Sequence, residues 1–154
     1  MEDLVVQAAQ LASVARLKGE NSVSDYTKNA QAIAKTWRKA VHDLDPDRFV
    51  IEALVAPEVD QKIDVLDQQT NCAYEFKVSG KNAQSEFYKD VVKVIVWNER
   101  RKNKITRLVF ITEEAFGRPF LDTPMPRAYI AHLAERGLSV GIAYVRHESG
   151  VAIA

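Results

Sequence analysis

Three residues of the 154-residue chain have the types and spacing for metal-assisted chemistry: Asp64, Glu75 and Lys77. Ile63 and Val65 flank the first acid, while Tyr74, Phe76 and Val78 interleave with the second acid and the lysine. Side chains alternate faces along a strand, so this pattern predicts two strands, 62–66 and 72–78. Ile63, Val65, Tyr74, Phe76 and Val78 would form an apolar face, with Asp64, Glu75 and Lys77 on the other. The polar run 67–71 (DQQTN) between them reads as a hairpin loop. If residues 68–71 form that loop, Asp67 pairs with Cys72, and counting back places Asp64 across from Glu75. Two carboxylates opposed on a ladder repel. A hard divalent cation reverses that sign, because magnesium takes carboxylate oxygens while keeping several waters. Lys77 points to the same side, where an ammonium can position or activate a water, or stabilise charge on a phosphate. Metal, water and a neighbouring ammonium are the parts of phosphodiester hydrolysis. An acid-x-Lys on the polar side of a strand is also common by chance. Asp64 in register is what raises this one above that background.

The segment 83–101 follows the lysine strand. Val91, Val92, Val94, Ile95 and Val96 have strand propensity, but Phe87, Val91 and Ile95, with Tyr88 and Val92, recur at i, i+4 and favour a helix. Gln84 and Tyr88 are four apart and share one face of it. There they can hydrogen-bond a phosphate or a base, or simply form the edge of an amphipathic helix. Lys81, Lys89, Lys93, Arg100, Arg101, Lys102, Lys104 and Arg107 make the stretch locally basic. That is a candidate surface for tracking phosphates, or else a solvated helix end and loop.

Around this unit the sequence predicts the elements that must carry it. Leu4, Val5, Ala8, Leu11, Ala12 and Ala15 have helical spacing over 4–18, ended by Gly19. Ser24 or Asp25 is a candidate cap for a second helix through Trp37 and Val41, closing before Pro46. Residues 48–56 read as a strand stopped by Pro57, and 107–112 as a short buried strand. A helix is expected over 127–136, ended by Gly137, and a last strand over 138–145. The order α-α-β-β-β-α-β-α-β is that of an α/β domain with helices on a central mixed sheet. A single domain over 1–154 is expected, with a helical segment at 1–45 and a catalytic core at 48–145.

Asp64, ten residues, then Glu75-Phe76-Lys77 resembles the PD-(D/E)XK nuclease superfamily, which has the restriction-endonuclease-like fold. Residues 84–88 (QSEFY) resemble the QxxxY element of its RecB-type branch, and the predicted element order is similar to that fold's core. The resemblance spans roughly 48–145. It implies that Asp64 and Glu75 are metal ligands, with the Phe76 carbonyl a third, and that Lys77 is the catalytic lysine. Gln84 and Tyr88 would sit beside the scissile phosphate. Ile63 stands where many members have proline. Asp60 is a rival first acid, but the pairing count does not place it opposite Glu75. Members also use an acid from an early helix or the first strand, for which Glu20 and Glu52 are the candidates. The expected cofactor is Mg2+, with Mn2+ as a substitute.

The bulk properties leave this reading open. The chain is 47% apolar with zero formal net charge, so no global charge announces a polyanion partner. Cys72 is the only cysteine, which excludes an internal disulfide framework and a cysteine-based zinc site. His42, His132 and His147 lack metal-pair spacing, no Gly-rich phosphate loop is present, and Trp37 and Trp97 lie among core-like neighbours. The N-terminus is acidic and no apolar run approaches membrane-spanning length, so a cytoplasmic protein without a membrane partner is expected. The leading expectation is a metal-dependent DNA nuclease, an endonuclease of restriction, defence or mobile-element type, with RNA not excluded as substrate. The alternative is a non-cleaving nucleic-acid-binding module or complex subunit with the same fold. The alanine-rich N-terminal helices are a candidate homodimer surface.

Overall fold

The computed structural model describes residues 1–17 and 23–146, with the side chains of 15–17 and 23–28 excepted. Its elements run α1 (Glu2–Leu17), α2 (Val23–Leu44), β1 (Phe49–Ala56), β2 (Val59–Asp67), β3 (Cys72–Lys77), a 3-10 turn at Gly80–Asn82, α3 (Ala83–Arg100), β4 (Arg107–Glu113), α4 (Glu114–Leu121), α5 (Pro124–Glu135) and β5 (Ser139–Val145). The strands form one five-stranded mixed sheet in the order β1-β2-β3-β4-β5. β1, β2 and β3 are antiparallel neighbours, and β3, β4 and β5 are parallel. The protein is therefore an α/β domain with helices on both faces of the sheet.

The spacing of apolar residues explains which helix covers which face. In α1 and α2, Val5, Ala9 and Ala12 meet Ile33, Trp37 and Val41, and all six pack on Phe49, Val65, Tyr74, Phe76 and Val109 of the sheet. The indole Nε1 of Trp37 donates to the Val5 carbonyl at 3.1 Å, which satisfies its one polar atom and ties α2 to α1. On the opposite face Phe87, Val91 and Val94 of α3 bury against Ala73, Leu108 and Phe110, together with Leu133 of α5. The valine-rich segment is helical because this i, i+4 stripe has a sheet to cover, and burial outweighs its strand propensity. Gly137, at φ +85°, terminates α5: its N–H reaches Ala134 and the Leu138 N–H reaches Leu133, as glycine in the left-handed region allows.

Four findings depart from or go beyond the sequence reading. First, α3 lies over the acidic face of the hairpin and leaves Glu75 fully buried. Second, Ile63 and Val65 do not share a face. Val65 and its partner Ile51 pack towards α1 and α2, whereas Ile63 and its partner Ala53 pack towards α3. Strict alternation would keep residues two apart on one side. The exception sits at Glu52, whose φ of +51° reverses which side of β1 faces which layer. Third, Ser24 and Asp25 fall inside α2, which begins at Val23. Fourth, α4 has no counterpart in the predicted order. Gly117 and Pro119 interrupt its helical pattern in the sequence, but Glu113 caps it by accepting from the Ala115 and Phe116 N–H groups.

Candidate active site

The hairpin turn sets the register on which the site depends. Asp67, 1% exposed, accepts Nε and Nη2 of Arg48 at 2.9 and 2.7 Å. It also accepts the Gln69 and Thr70 N–H groups and the Thr70 hydroxyl. Burial pushes its carboxyl up, but the Arg48, Thr70 and backbone donors together hold it below the usual aspartate value. With that turn locked, Asp67 pairs with Cys72, Leu66 with Ala73 and Val65 with Tyr74. This is the register expected from the sequence.

Beyond Val65 and Tyr74 the ladder stops, and side chains take over its hydrogen bonds. The Phe76 N–H donates to Asp64 Oδ2 at 3.1 Å, and the Asp64 N–H reaches Glu75 Oε1 at 3.4 Å. Arg38 of α2 lies 3.7 Å from Asp64 Oδ1. The two residues are neighbours at the splayed end of the pair rather than on a regular ladder, with the Asp64 carboxylate beside Arg38 of α2 and the Glu75 carboxylate beside Lys93 of α3. Glu75 Oε2 is buried and has no hydrogen-bond partner. Burial raises the Glu75 carboxyl well above its usual value, and the Asp64 and Asp90 charges raise it further against the pull of Lys93 and Lys77.

Lys77 leaves the carboxyl end of β3 beside Glu86 at 3.1 Å and Asp90 at 3.8 Å. Burial would lower its basicity, but Asp90, Glu75, Asp64 and Glu86 overcome that and hold it above the usual lysine value. Lys77 is therefore a fixed ammonium and a donor only. It faces a cavity of about 510 Å³ between α2 and the β3–α3 turn. Ala30, Gln31, Phe76, Lys81, Asn82 and Lys89 also line it. In sheets with parallel strands, ligands collect at this end of the strands.

The other candidate residues are placed as follows. Gln84 is exposed in the first turn of α3, and Tyr88 packs in an aromatic group with Phe120 and Tyr129 at 6.0 and 5.6 Å. Glu86, Asp90 and Lys93 occupy the flank of α3 that meets the acids, and residues two apart on a helix project about 200° apart. The Gln84–Tyr88 flank therefore turns to α4 and α5, away from Lys77. Glu52 is exposed on β1, Asp60 is exposed on β2, and Glu20 lies outside the described residues.

Much of the basic stretch is already spent on the protein itself. Lys93, expected on a phosphate-tracking surface, is 6% exposed and bonded to Glu75, Asp90 and the Lys62 carbonyl. Arg100 pairs with Glu58 and Arg107 with Glu2. Arg101 stacks on Trp97 and donates to the Val55 and Leu54 carbonyls. Lys89 pairs with Glu86 but is half exposed, and Lys81, Lys102 and Lys104 are exposed.

Sequence reasoning missed Asp90, Glu86 and Lys93 as parts of the site. An i, i+3 acid–lysine pair on a helix reads as an ordinary solvated bridge until the sheet is laid under it. The signal available was Asp90 and Lys93 enclosing the apolar pair Val91 and Val92.

Among the described residues no group of three or more His, Cys, Asp or Glu side chains is arranged to hold a metal ion. Asp64 and Glu75, with one buried carboxylate oxygen unpartnered, would offer a hard divalent ion such as magnesium a few oxygen ligands and not a full protein cage. No helix among the described residues is long and apolar enough to cross a membrane. The chain matches no protein-family model, no curated protein and no solved structure.

Proposed function

We propose that this protein is a divalent-metal-dependent DNA nuclease of the PD-(D/E)XK superfamily with a restriction-endonuclease-like fold. The observation that carries the reading is the neighbouring of Asp64 and Glu75 where β2 and β3 part, with Lys77 two residues further along β3 on the wall of an open cavity. Glu75 is fully buried, and although its Oε1 meets Lys93 its Oε2 has no partner, which leaves one carboxylate oxygen for a further cation.

Asp64 and Glu75, with the Phe76 carbonyl, would hold Mg2+ or Mn2+. When bound, the ion supplies Lewis-acid stabilisation of phosphate charge and a more acidic water. Lys77 would contribute positive charge towards a phosphate in the cavity it lines. Lys81 and Lys89 on the same cavity wall suit neighbouring phosphates. Phe76 and Trp37, edge to face at 5.3 Å, hold the strand from behind.

The test is cleavage of supercoiled plasmid, labelled single-stranded DNA and RNA with Mg2+, Mn2+ or EDTA, using wild type and Lys77→Ala. Metal-dependent cutting lost in the variant is expected. No cutting of any substrate by pure wild-type protein sinks the reading and leaves the non-cleaving binding module. Leu4, Leu11 and Leu44 are exposed along an apolar groove between α1 and α2, which favours a homodimer for a double-strand cutter.

A further inference from the structure

We propose that Lys93 is a tethered counter-cation for the acid pair, a positioning residue that keeps Glu75 in place without a free ion and sets how strongly the site draws one. Its Nζ lies 2.8 Å from Glu75 Oε1, 2.8 Å from Asp90 Oδ1 and 2.9 Å from the Lys62 carbonyl. An ammonium has three protons, and three oxygens surround this one. The oxygens come from β3, α3 and β2, so one side chain ties the strand bearing Glu75 to the strand bearing Asp64 and to the covering helix.

Without this ammonium, two fully buried carboxylates, Glu75 and Asp90, would face each other and Asp64 with only Lys77 between them. A buried charge stripped of its partner is strongly destabilising. Lys93 removes that problem locally, and it has a consequence for a metal. It occupies Oε1 of Glu75 and leaves the buried Oε2 without a partner. It also adds a positive charge next to any ion that arrives. The acids therefore stay assembled in the absence of metal, at the cost of weaker attraction for it. Replacing Lys93 with an apolar side chain of similar length inverts both effects: the acids lose their nearest counter-charge, and a divalent ion can supply it.

The part of this inference that concerns a metal rests on the nuclease reading, and the test separates the two. Thermal unfolding of the full chain is followed in EDTA and over a titration with MgCl2 or MnCl2, for wild type, Lys93→Met and Lys93→Arg. Lys93→Met should melt about 10 °C lower in EDTA. Added Mn2+ should restore most of that loss, with a midpoint at about tenfold lower ion concentration than the smaller rise of wild type. Lys93→Arg, which keeps the charge, should retain most of the stability in EDTA. A Lys93→Met protein that melts like wild type in EDTA overturns the proposal, as does a loss that no divalent cation repairs. Should Lys93→Met fail to fold in EDTA, the double variant Asp90→Asn/Lys93→Met, which removes one charge of each sign, should fold. Its failure would show that Lys93 acts by packing and would overturn the counter-cation role. Rescue of Lys93→Met beside a wild type indifferent to metal sustains the counter-cation and sinks the nuclease reading. A wild-type response lost in Asp64→Asn, with no rescue of Lys93→Met, does the reverse.

Discussion

The Asp64 carboxylate accepts the Phe76 N–H at 3.1 Å, so the first acid of the pair is held by the backbone of the strand that carries the second. Where β2 and β3 part, this bond replaces the missing ladder bond and fixes the Asp64 carboxylate against β3. The charge of Asp64 is also a leading cause, after burial, of the raised Glu75 carboxyl.

Asp64→Asn keeps the oxygen that accepts from Phe76 while removing the charge. The variant should therefore melt 1–3 °C higher than wild type in EDTA, on the order expected for relief of one partly buried repulsion. It should also lose any rise in melting temperature that Mg2+ or Mn2+ gives the wild type. A variant still stabilised by metal would remove Asp64 from the ligand set.

Asp67 predicts the acid limb of stability. Its folded carboxyl lies below the unfolded value of 3.8, so the ionised form is favoured in the folded state. Its contribution is fully present above that value and is lost as pH falls through the lower folded value. Asp67→Ala should cost about 3 kcal/mol at pH 7, because it leaves Arg48 without its bidentate partner, and the difference from wild type should shrink as pH falls below the unfolded value of 3.8. Urea unfolding at several pH values measures both. A constant difference across that range would mean that Asp67 acts through turn geometry and not through its charge.

Lys77 sits among carboxylates that favour its ammonium form, which suits a service to a phosphate through charge. Lys77→Arg should accordingly keep cleavage within roughly tenfold of wild type, and Lys77→Met should lose about 10²–10³ in kcat. Room for the larger head group exists in the cavity it faces. If the arginine variant were as dead as the methionine one, a proton-transfer role for Lys77 would be the better account.

How much of this was legible in the sequence divides along physical lines. Elements set by local pattern were readable: the hairpin register followed from a polar loop between alternating strands, and α3 from its i, i+4 apolar stripe. What depends on two surfaces meeting was not. Nothing local says that α3 covers Glu75 rather than leaving it to solvent, or which flank of α3 faces it. Lys93 reads as a basic surface residue by composition and becomes buried because the Glu75 and Asp90 carboxylates compensate it. The reversal at Glu52 is likewise invisible, since a glutamate in a strand-like run gives no sign of a positive φ.

Gln84 and Tyr88 carry the part of the sequence resemblance that the geometry least supports. Tyr88 is engaged with Phe120 and Tyr129, on the flank of α3 opposite Asp90. Gln84→Ala should leave cleavage within about twofold of wild type. Tyr88→Ala should instead cost about 2–3 kcal/mol of stability through loss of its ring packing. A Gln84→Ala protein that folds normally but cuts far more slowly would bring that flank back to the phosphate.

Glu52 separates strain from ligation. A non-glycine residue in the left-handed region costs about 1–2 kcal/mol, and strain of this kind gathers at functional sites. Glycine adopts that region freely. Glu52→Gly should thus raise the melting temperature by about 2–4 °C, after the entropy glycine loses on folding offsets part of the gain. If Glu52 is only the pivot at which β1 and β2 exchange faces, the metal response and cleavage should survive in the stabilised variant. If it is the third acid of the metal site, the same variant should be more stable in EDTA yet fail to respond to Mn2+. A lower melting temperature in EDTA would mean that the Glu52 side chain is itself stabilising and that the reversal carries no stored strain.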